Sequence, residues 1–157
     1  MKKFFLLIVL SISLYATEIL GKIDTFDLPD LNINNIEAKI DTGAKTSSLH
    51  CMSIKPTKDG CVEFIVLDKS HKDFTGKYIK EKISRIGEVK SSNGIKQKRY
   101  FIKTTIVVFN KKYIMELSLS HRDSMNYPLL IGRELIEQDF LVDVTKTNLS
   151  YEKKNNN

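Results

Sequence analysis

The sequence has little of what cross-links or interrupts a chain. Its 157 residues include two cysteines, three prolines, seven glycines and no tryptophan. Two cysteines cannot build the disulfide framework of a small secreted scaffold, and so few prolines and glycines exclude a collagenous or low-complexity chain. Hydrophobic residues make up 41% and charged residues 28%, which is the composition of one globular domain with a single core.

Signatures of common cofactors are absent as well. There is no G-x-x-x-x-G-K-[ST] loop and no H-E-x-x-H motif, and His50, His71 and His121 lack a paired spacing. We therefore expect no cofactor and no metal. The 25 basic residues exceed the 19 acidic ones by a net charge of +6. They form no block of like charges, so we do not expect nucleic-acid binding.

Residues 1–16 have the pattern of a secretory signal peptide. Lys2 and Lys3 precede the apolar stretch Phe4–Leu14, and Ala16 offers a small residue at the cleavage position. The stretch is shorter than the roughly 20 residues of a spanning helix, so a retained anchor is the less favoured alternative. We expect a periplasmic or secreted chain with no stable membrane span after cleavage. In that oxidising compartment, Cys51 and Cys61 could form a disulfide or stay as two thiols.

Strand patterns dominate the rest of the chain. Cys61–Leu67 is a run of β-branched and aromatic residues, and Arg99–Phe109 is the strongest strand signal. The latter meets Lys112–Leu119 across Asn110–Lys111, which suits a two-residue hairpin turn. Asn93–Gly94 predicts a second hairpin with polar flanks, which we expect to be a mobile lid over bound peptide.

Only residues 132–140 have helical spacing, with one buried stripe over about two turns. Many short strands and one short late helix predict an all-β, barrel-like domain. We place this domain at residues 17–151 and expect residues 152–157 to form a disordered polar tail.

An acidic residue at the end of a strand is the first candidate for chemistry. Asp41 follows an apolar strand and precedes Thr42 and Gly43, where glycine permits a tight turn. A carboxylate held at a strand end beside backbone amides is well placed for acid–base work. The tripeptide alone is a weak signal, because it occurs by chance in roughly three of a hundred chains of this length.

A late segment supplies the second element. Tyr127–Leu135 is an apolar strand that runs into Gly132 and then into the short helix. By itself it would be a buried strand with a glycine at its corner. Together, Asp-Thr-Gly-Ala early and Leu-Leu-Ile-Gly-Arg late resemble the two signature segments of retropepsin-like aspartic peptidases. Blocks at residues 28–31, 38–50, 99–100, 117–133 and 140–144 are similar to the family catalogued as ATP-dependent zinc proteases, which includes RimB.

The resemblance implies a retropepsin-like single-lobe acid-protease barrel with Asp41 as the catalytic carboxylate, braced by Thr42 and opened to substrate by Gly43. Aspartic peptidases activate water between two carboxylates that share one proton. This chain has one Asp-Thr-Gly, so the second carboxylate must come from another copy, in a homodimer. The catalogue name implies ATP and zinc, for which the residues give no motif.

Further residues in or near these blocks are expected to bind the peptide substrate. They are Ala44, His50, Arg99, Arg122 and Arg133. Arginine binds carboxylates in a bidentate manner, so these side chains favour an acidic peptide, and the alternative is a solvated basic face with structural ion pairs.

The sequence therefore predicts an exported aspartic peptidase that hydrolyses peptide bonds as a homodimer. Two alternatives stay open: a non-catalytic module that binds a peptide or protein on the same barrel, and a metal-dependent hydrolase. A peptidase must bring two Asp41 side chains together, whereas a binding module can act as a monomer.

Overall fold

The computed structural model of the chain describes residues 17–156 except 68, 70, 73, 91–93 and 122–125. The expected signal peptide, Arg122 and Asn93 lie outside the described residues. The elements are β1 (Glu18–Leu20), β2 (Ile23–Leu28), β3 (Ile33–Ile40), β4 (Ser47–Pro56), β5 (Cys61–Val66), β6 (Tyr78–Lys82), β7 (Arg85–Lys90), β8 (Lys96–Val108), β9 (Lys111–Ser120), β10 (Leu129–Ile131), α1 (Arg133–Asp139), β11 (Phe140–Val142) and α2 (Leu149–Asn155).

Six strands close into a mixed barrel in the order β10, β3, β2, β8, β9, β4 and back to β10. β10 runs parallel to β3 and antiparallel to β4, and β4 runs parallel to β9. Alternation fills the interior, since Ile36, Ala38 and Ile40 are buried while Glu37 and Lys39 between them are exposed. The predicted all-β, retropepsin-like barrel is confirmed.

Three strands extend this body, and two form a separate sheet. β5 and β6 continue from β4, and β7 pairs with β8. β1 and β11 form a two-stranded parallel sheet. No helix within the described ranges is both long and apolar enough to cross a membrane.

The turn between β8 and β9 lies one residue earlier than the sequence predicts. Val108 pairs with Lys111, so Phe109 and Asn110 are the central residues, with φ of 49° and 64°. Positive φ at both positions is the type I′ geometry that matches strand twist. The Phe109 amide donates to Ser150 Oγ at 2.8 Å, and its ring is buried. These contacts hold a bulky residue in a conformation that it otherwise rarely adopts.

Two short helices follow β10, where the sequence predicts one. α1 coincides with the predicted helix. α2 includes residues 152–155, which were expected to lie in a disordered tail. The buried carboxylate of Asp24 accepts hydrogen bonds from the Ser150 and Tyr151 amides, and Lys154 Nζ contacts Asp27 Oδ2 at 2.7 Å. Contacts with β2 therefore order this polar segment.

The cysteines are free thiols. In the β4–β5 hairpin Cys51 lies opposite Val66, whereas Cys61 begins β5 at the other end of the pairing. Five residues of strand separate the two positions, or roughly 16 Å, which is too far for a disulfide. Burial raises the pKa of the Cys51 thiol well above its usual value.

Candidate active site

The insertion of β10 between β3 and β4 builds the loop that carries the candidate catalytic acid. Asp41 directly follows β3, and its amide donates to the carbonyl of Ile131 at 2.8 Å. The loop closes on itself through the Ala44 amide, which donates to the Asp41 carbonyl at 3.2 Å. The Glu134 amide, at the start of α1, donates to the Lys45 carbonyl at 3.0 Å. Both ends of the loop are thus tied to the end of β10.

The Asp41 carboxylate is half-buried, and Gly43 lies against it. Its Oδ1 accepts a hydrogen bond from the Gly43 amide at 3.1 Å. A Cβ atom at Gly43 would lie 3.3 Å from that oxygen, so glycine keeps room around the carboxylate. A backbone amide that donates to a carboxylate orients it and stabilises its charge.

Gly132 makes the close approach that seats β10 beneath this loop. A Cβ atom there would lie 2.6 Å from the main-chain carbon of Thr46, so no larger residue fits without a backbone shift. Its amide donates to Ser47 Oγ at 3.0 Å, and Ser118 Oγ donates to the Ser47 carbonyl at 3.1 Å. Ser47 therefore links β10 with β9. No local sequence signal predicts this role of Ser47, because it depends on the register of three strands.

The Arg133 side chain contacts the loop that carries Asp41, which we call the Asp41 loop. Its Nη1 donates to the carbonyl oxygens of both Thr42 and Gly43, each at 3.0 Å, and its amide donates to the Ala44 carbonyl at 3.0 Å. The structure thus brings Asp41, Thr42, Gly43, Ala44 and Arg133 together in one hydrogen-bonded unit. Thr42 contributes its main-chain carbonyl to this unit. Thr42 itself is exposed.

His50 and Arg99 lie further along the barrel wall. His50 of β4 pairs with Ser120 of β9, and extension of the β8–β9 register by two residues places Arg99 beside the same serine. His50 is three residues along β4 from Ser47, or roughly 10 Å. Both side chains are buried, at 7% and 6% exposure. The His50 ring lies 6.1 Å from that of His121.

The described residues offer no obvious metal site. Across these ranges, no three His, Cys, Asp or Glu side chains come close enough to hold an ion. The described part of the chain therefore contains no ligand set for the zinc in the family's catalogue name.

A groove of about 570 Å³ lies near the start of β3, away from Asp41. It is lined by residues 31–36, by Val66 and Leu67, and by His71 among others. Asp41 follows the far end of β3, and the nearest groove residue along that strand, Ile36, is five residues or roughly 16 Å away. The groove thus contains none of the predicted site residues.

Comparison with known proteins agrees with this geometry. A family model described as "Retropepsin-like aspartic endopeptidase RimB" matches residues 19–153. The chain is 33% identical over 132 residues to a probable alpha-L-glutamate ligase of Shewanella pealeana, with 82% of this chain and 29% of the ligase covered. It is 32% identical over 128 residues to one of Parasynechococcus marenigrum, with 80% and 28% covered. The chain therefore spans less than a third of the length of these curated relatives.

A solved structure supports the fold over most of the chain. The crystal structure of a Legionella pneumophila protein of unknown function (DUF785) is similar to it with a TM-score of 0.67 and 29% sequence identity. The match covers 86% of this chain and 99% of that one. Together with the family model and the Asp41 loop, it shows that the chain belongs to the RimB-like family of retropepsin-like aspartic peptidases.

Proposed function

We propose that the chain is an aspartic peptidase that hydrolyses peptide bonds at Asp41. The observation that carries this proposal is the Asp41 loop, in which β10 and Arg133 fix the backbone around a half-buried carboxylate. Family membership gives the same chemistry a precedent.

The proposed mechanism needs two copies of the chain. Each copy supplies one Asp41, and the two carboxylates share one proton across a two-fold axis. One carboxylate takes a proton from the attacking water, while the other donates a hydrogen bond to the scissile carbonyl. In each copy the Gly43 amide holds Oδ1 in place.

An acidic peptide is the substrate class that we propose. His50 and Arg99 supply buried basic or polarisable groups on the barrel wall. The relatives named probable alpha-L-glutamate ligases contain a region like this chain, and a peptidase beside such a ligase would suit glutamate-containing peptides. Ala44 and Arg133 would contribute through the Asp41 loop. Arg122 stays a prediction from the sequence.

The decisive experiment is cleavage of a peptide library by the purified protein and by Asp41→Asn. Glu37→Gln is a matched control, because Glu37 is an exposed acid four residues earlier on β3. We expect Asp41→Asn to lose at least about a thousandfold in activity, and the control to keep it. Wild-type activity in Asp41→Asn would refute the proposal. Peptides that bind but are never cleaved by the wild type would favour the non-catalytic binding module.

The homodimer has its own test. If wild type and Asp41→Asn chains mix randomly in equal amounts, only about one quarter of the dimers keep both carboxylates. Activity per wild-type chain should then fall to about half. Unchanged activity per wild-type chain, together with a monomeric mass, would contradict the homodimer.

Export is proposed on the signal-like pattern of residues 1–16. Fractionation of the producing cell should place the protein in the periplasm or medium, with Thr17 as its first residue by mass spectrometry. A cytoplasmic chain that keeps residue 1 would contradict export without affecting the peptidase proposal.

A further inference from the structure

The β7–β8 strand pair has an excess of positive charge. Residues 85–90 and 94–99, the described parts of the β7–β8 strand pair, are called the basic hairpin here and contain five basic and one acidic residue, a net charge of 5 − 1 = +4. Residues 17–157 contain 23 basic and 19 acidic residues, which is 23 − 19 = +4. The remainder of that segment is therefore balanced, and the basic hairpin is the source of a positive field.

Lysines on one face of the basic hairpin are arranged at some cost to its own stability. Lys90 pairs directly with Lys96, and Glu88 with Lys98. Like charges directly opposite each other on a strand pair repel. Glu88 reaches Lys96 at 3.5 Å, but the two side chains are 67% and 70% exposed, so solvent screens the pair. Three lysines against one glutamate leave an exposed positive surface.

Apolar side chains accompany these lysines. Ile86 is 51% exposed and lies two residues from Glu88 along β7, and Ile95, next to Lys96, is 58% exposed. A single exposed isoleucine would need no explanation. Ile86, however, shares the face of Lys90, Lys96 and Lys98 in the β7–β8 pairing, and apolar side chains among basic ones are typical of segments that bind at the boundary between lipid headgroups and acyl chains.

The arginines of the hairpin are committed to the protein itself. Arg85 lies over the Phe101 ring at 3.4 Å and pairs with Glu116 at 2.8 Å, and Arg99 is buried. Both arginines also lie on the opposite face of the strand pair from Glu88. The basic residues on the face of Glu88 are therefore lysines, which attract anions without the stacking and forked hydrogen bonds that favour nucleic acid. We propose that the basic hairpin docks on an anionic lipid surface.

Binding to lipid vesicles tests the proposal without using peptidase activity. The purified protein is sedimented with phosphatidylcholine vesicles that contain or lack phosphatidylglycerol. We expect the triple variant Lys90→Gln, Lys96→Gln, Lys98→Gln to lower the partition coefficient on the anionic vesicles on the order of 100-fold. The matched control Lys103→Gln, Lys111→Gln, Lys112→Gln alters exposed lysines of β8 and β9 outside the basic hairpin and should change the partition coefficient less than about threefold.

Salt provides a second measurement that needs no variant. Binding of the wild type should be lost when the salt concentration rises from about 0.05 M to about 0.5 M, because screening shortens the reach of the lysine charges. Equal binding to both vesicle types, or an equal loss in the two triple variants, would overturn the proposal. Binding to a single-stranded oligonucleotide but not to anionic vesicles would overturn it in favour of nucleic acid. Peptide cleavage is unaffected by any of these outcomes, so this proposal and the proposed function fail separately.

Discussion

Arg133 could either hold the Asp41 loop in place or bind substrate, and the two roles predict different effects of its substitution. Its Nη1 donates to the Thr42 and Gly43 carbonyls at 3.0 Å each, and Gly43 in turn donates to Asp41. The side chain is 45% exposed. We therefore value each charge-assisted hydrogen bond at about 0.5 to 1 kcal/mol, below the buried range. Arg133→Met should thus loosen the loop by about 1 to 2 kcal/mol in total.

That free energy corresponds to a fall of roughly 5- to 30-fold in kcat, with similar KM values for acidic and neutral peptides. Hydrogen exchange at the Gly43 amide should accelerate by a comparable factor, which can be measured without substrate. Arg85→Met is the matched control, because Arg85 is also 45% exposed and ion-paired, and it should leave Gly43 exchange unchanged. A KM that rises only for acidic peptides, with Gly43 exchange unaltered, would refute this reasoning and make Arg133 a substrate ligand.

Three other predictions follow from single sites. Gly132→Ala should lower the free energy of unfolding by about 1 to 3 kcal/mol in urea titrations, because its Cβ would collide with backbone; no change would mean that the loop adapts freely. Hydrogen bonds from Lys80 and Thr57 lower the pKa of Asp59 to about 2, so its carboxylate should stay ionised at about pH 3 in an NMR titration. Its contribution to stability is present above the unfolded pKa near 4 and is lost as pH falls towards 2; a midpoint near 4 would contradict the contact. Iodoacetamide should modify Cys61 but spare buried Cys51 until the protein unfolds, and a lack of reaction at both without reductant would indicate a disulfide.

Much of the Asp41 loop could be predicted because its signals are local. Asp41 stands where an alternating strand ends, and β10 is a short run in which all three residues are buried. An apolar run into a glycine predicts a buried strand with a close approach. The family resemblance then supplied the link between segments that the patterns alone leave separate. The contact of Gly132 with Thr46 is the physical form of that link.

The register of the strand pairs was harder to predict than the strands themselves, because a shift of one residue changes few local preferences. Asn110–Lys111 and Phe109–Asn110 are both two-residue turns that contain asparagine. The choice between them is made by Ser150, whose hydroxyl accepts from the Phe109 amide 41 residues away. The sequence also left open whether Cys51 and Cys61 form a disulfide, because the distance between the two thiols depends on the β4–β5 register.

Composition did not predict the C-terminal part of α2, because a buried carboxylate elsewhere in the chain orders this segment. Residues 152–157 are polar, and polar ends fray when nothing holds them. Asp24, however, is fully buried on β2, and an unsatisfied buried carboxylate is costly. Burial raises the pKa of Asp24, and hydrogen bonds from the Ser150, Thr25 and Tyr151 amides offset part of that rise. Ser150, 126 residues after Asp24, and Tyr151 thus supply hydrogen bonds that the buried carboxylate requires. Hydrogen bonds to Asp24 therefore hold α2 against β2, and the polar residues of α2 need only be compatible with a helix.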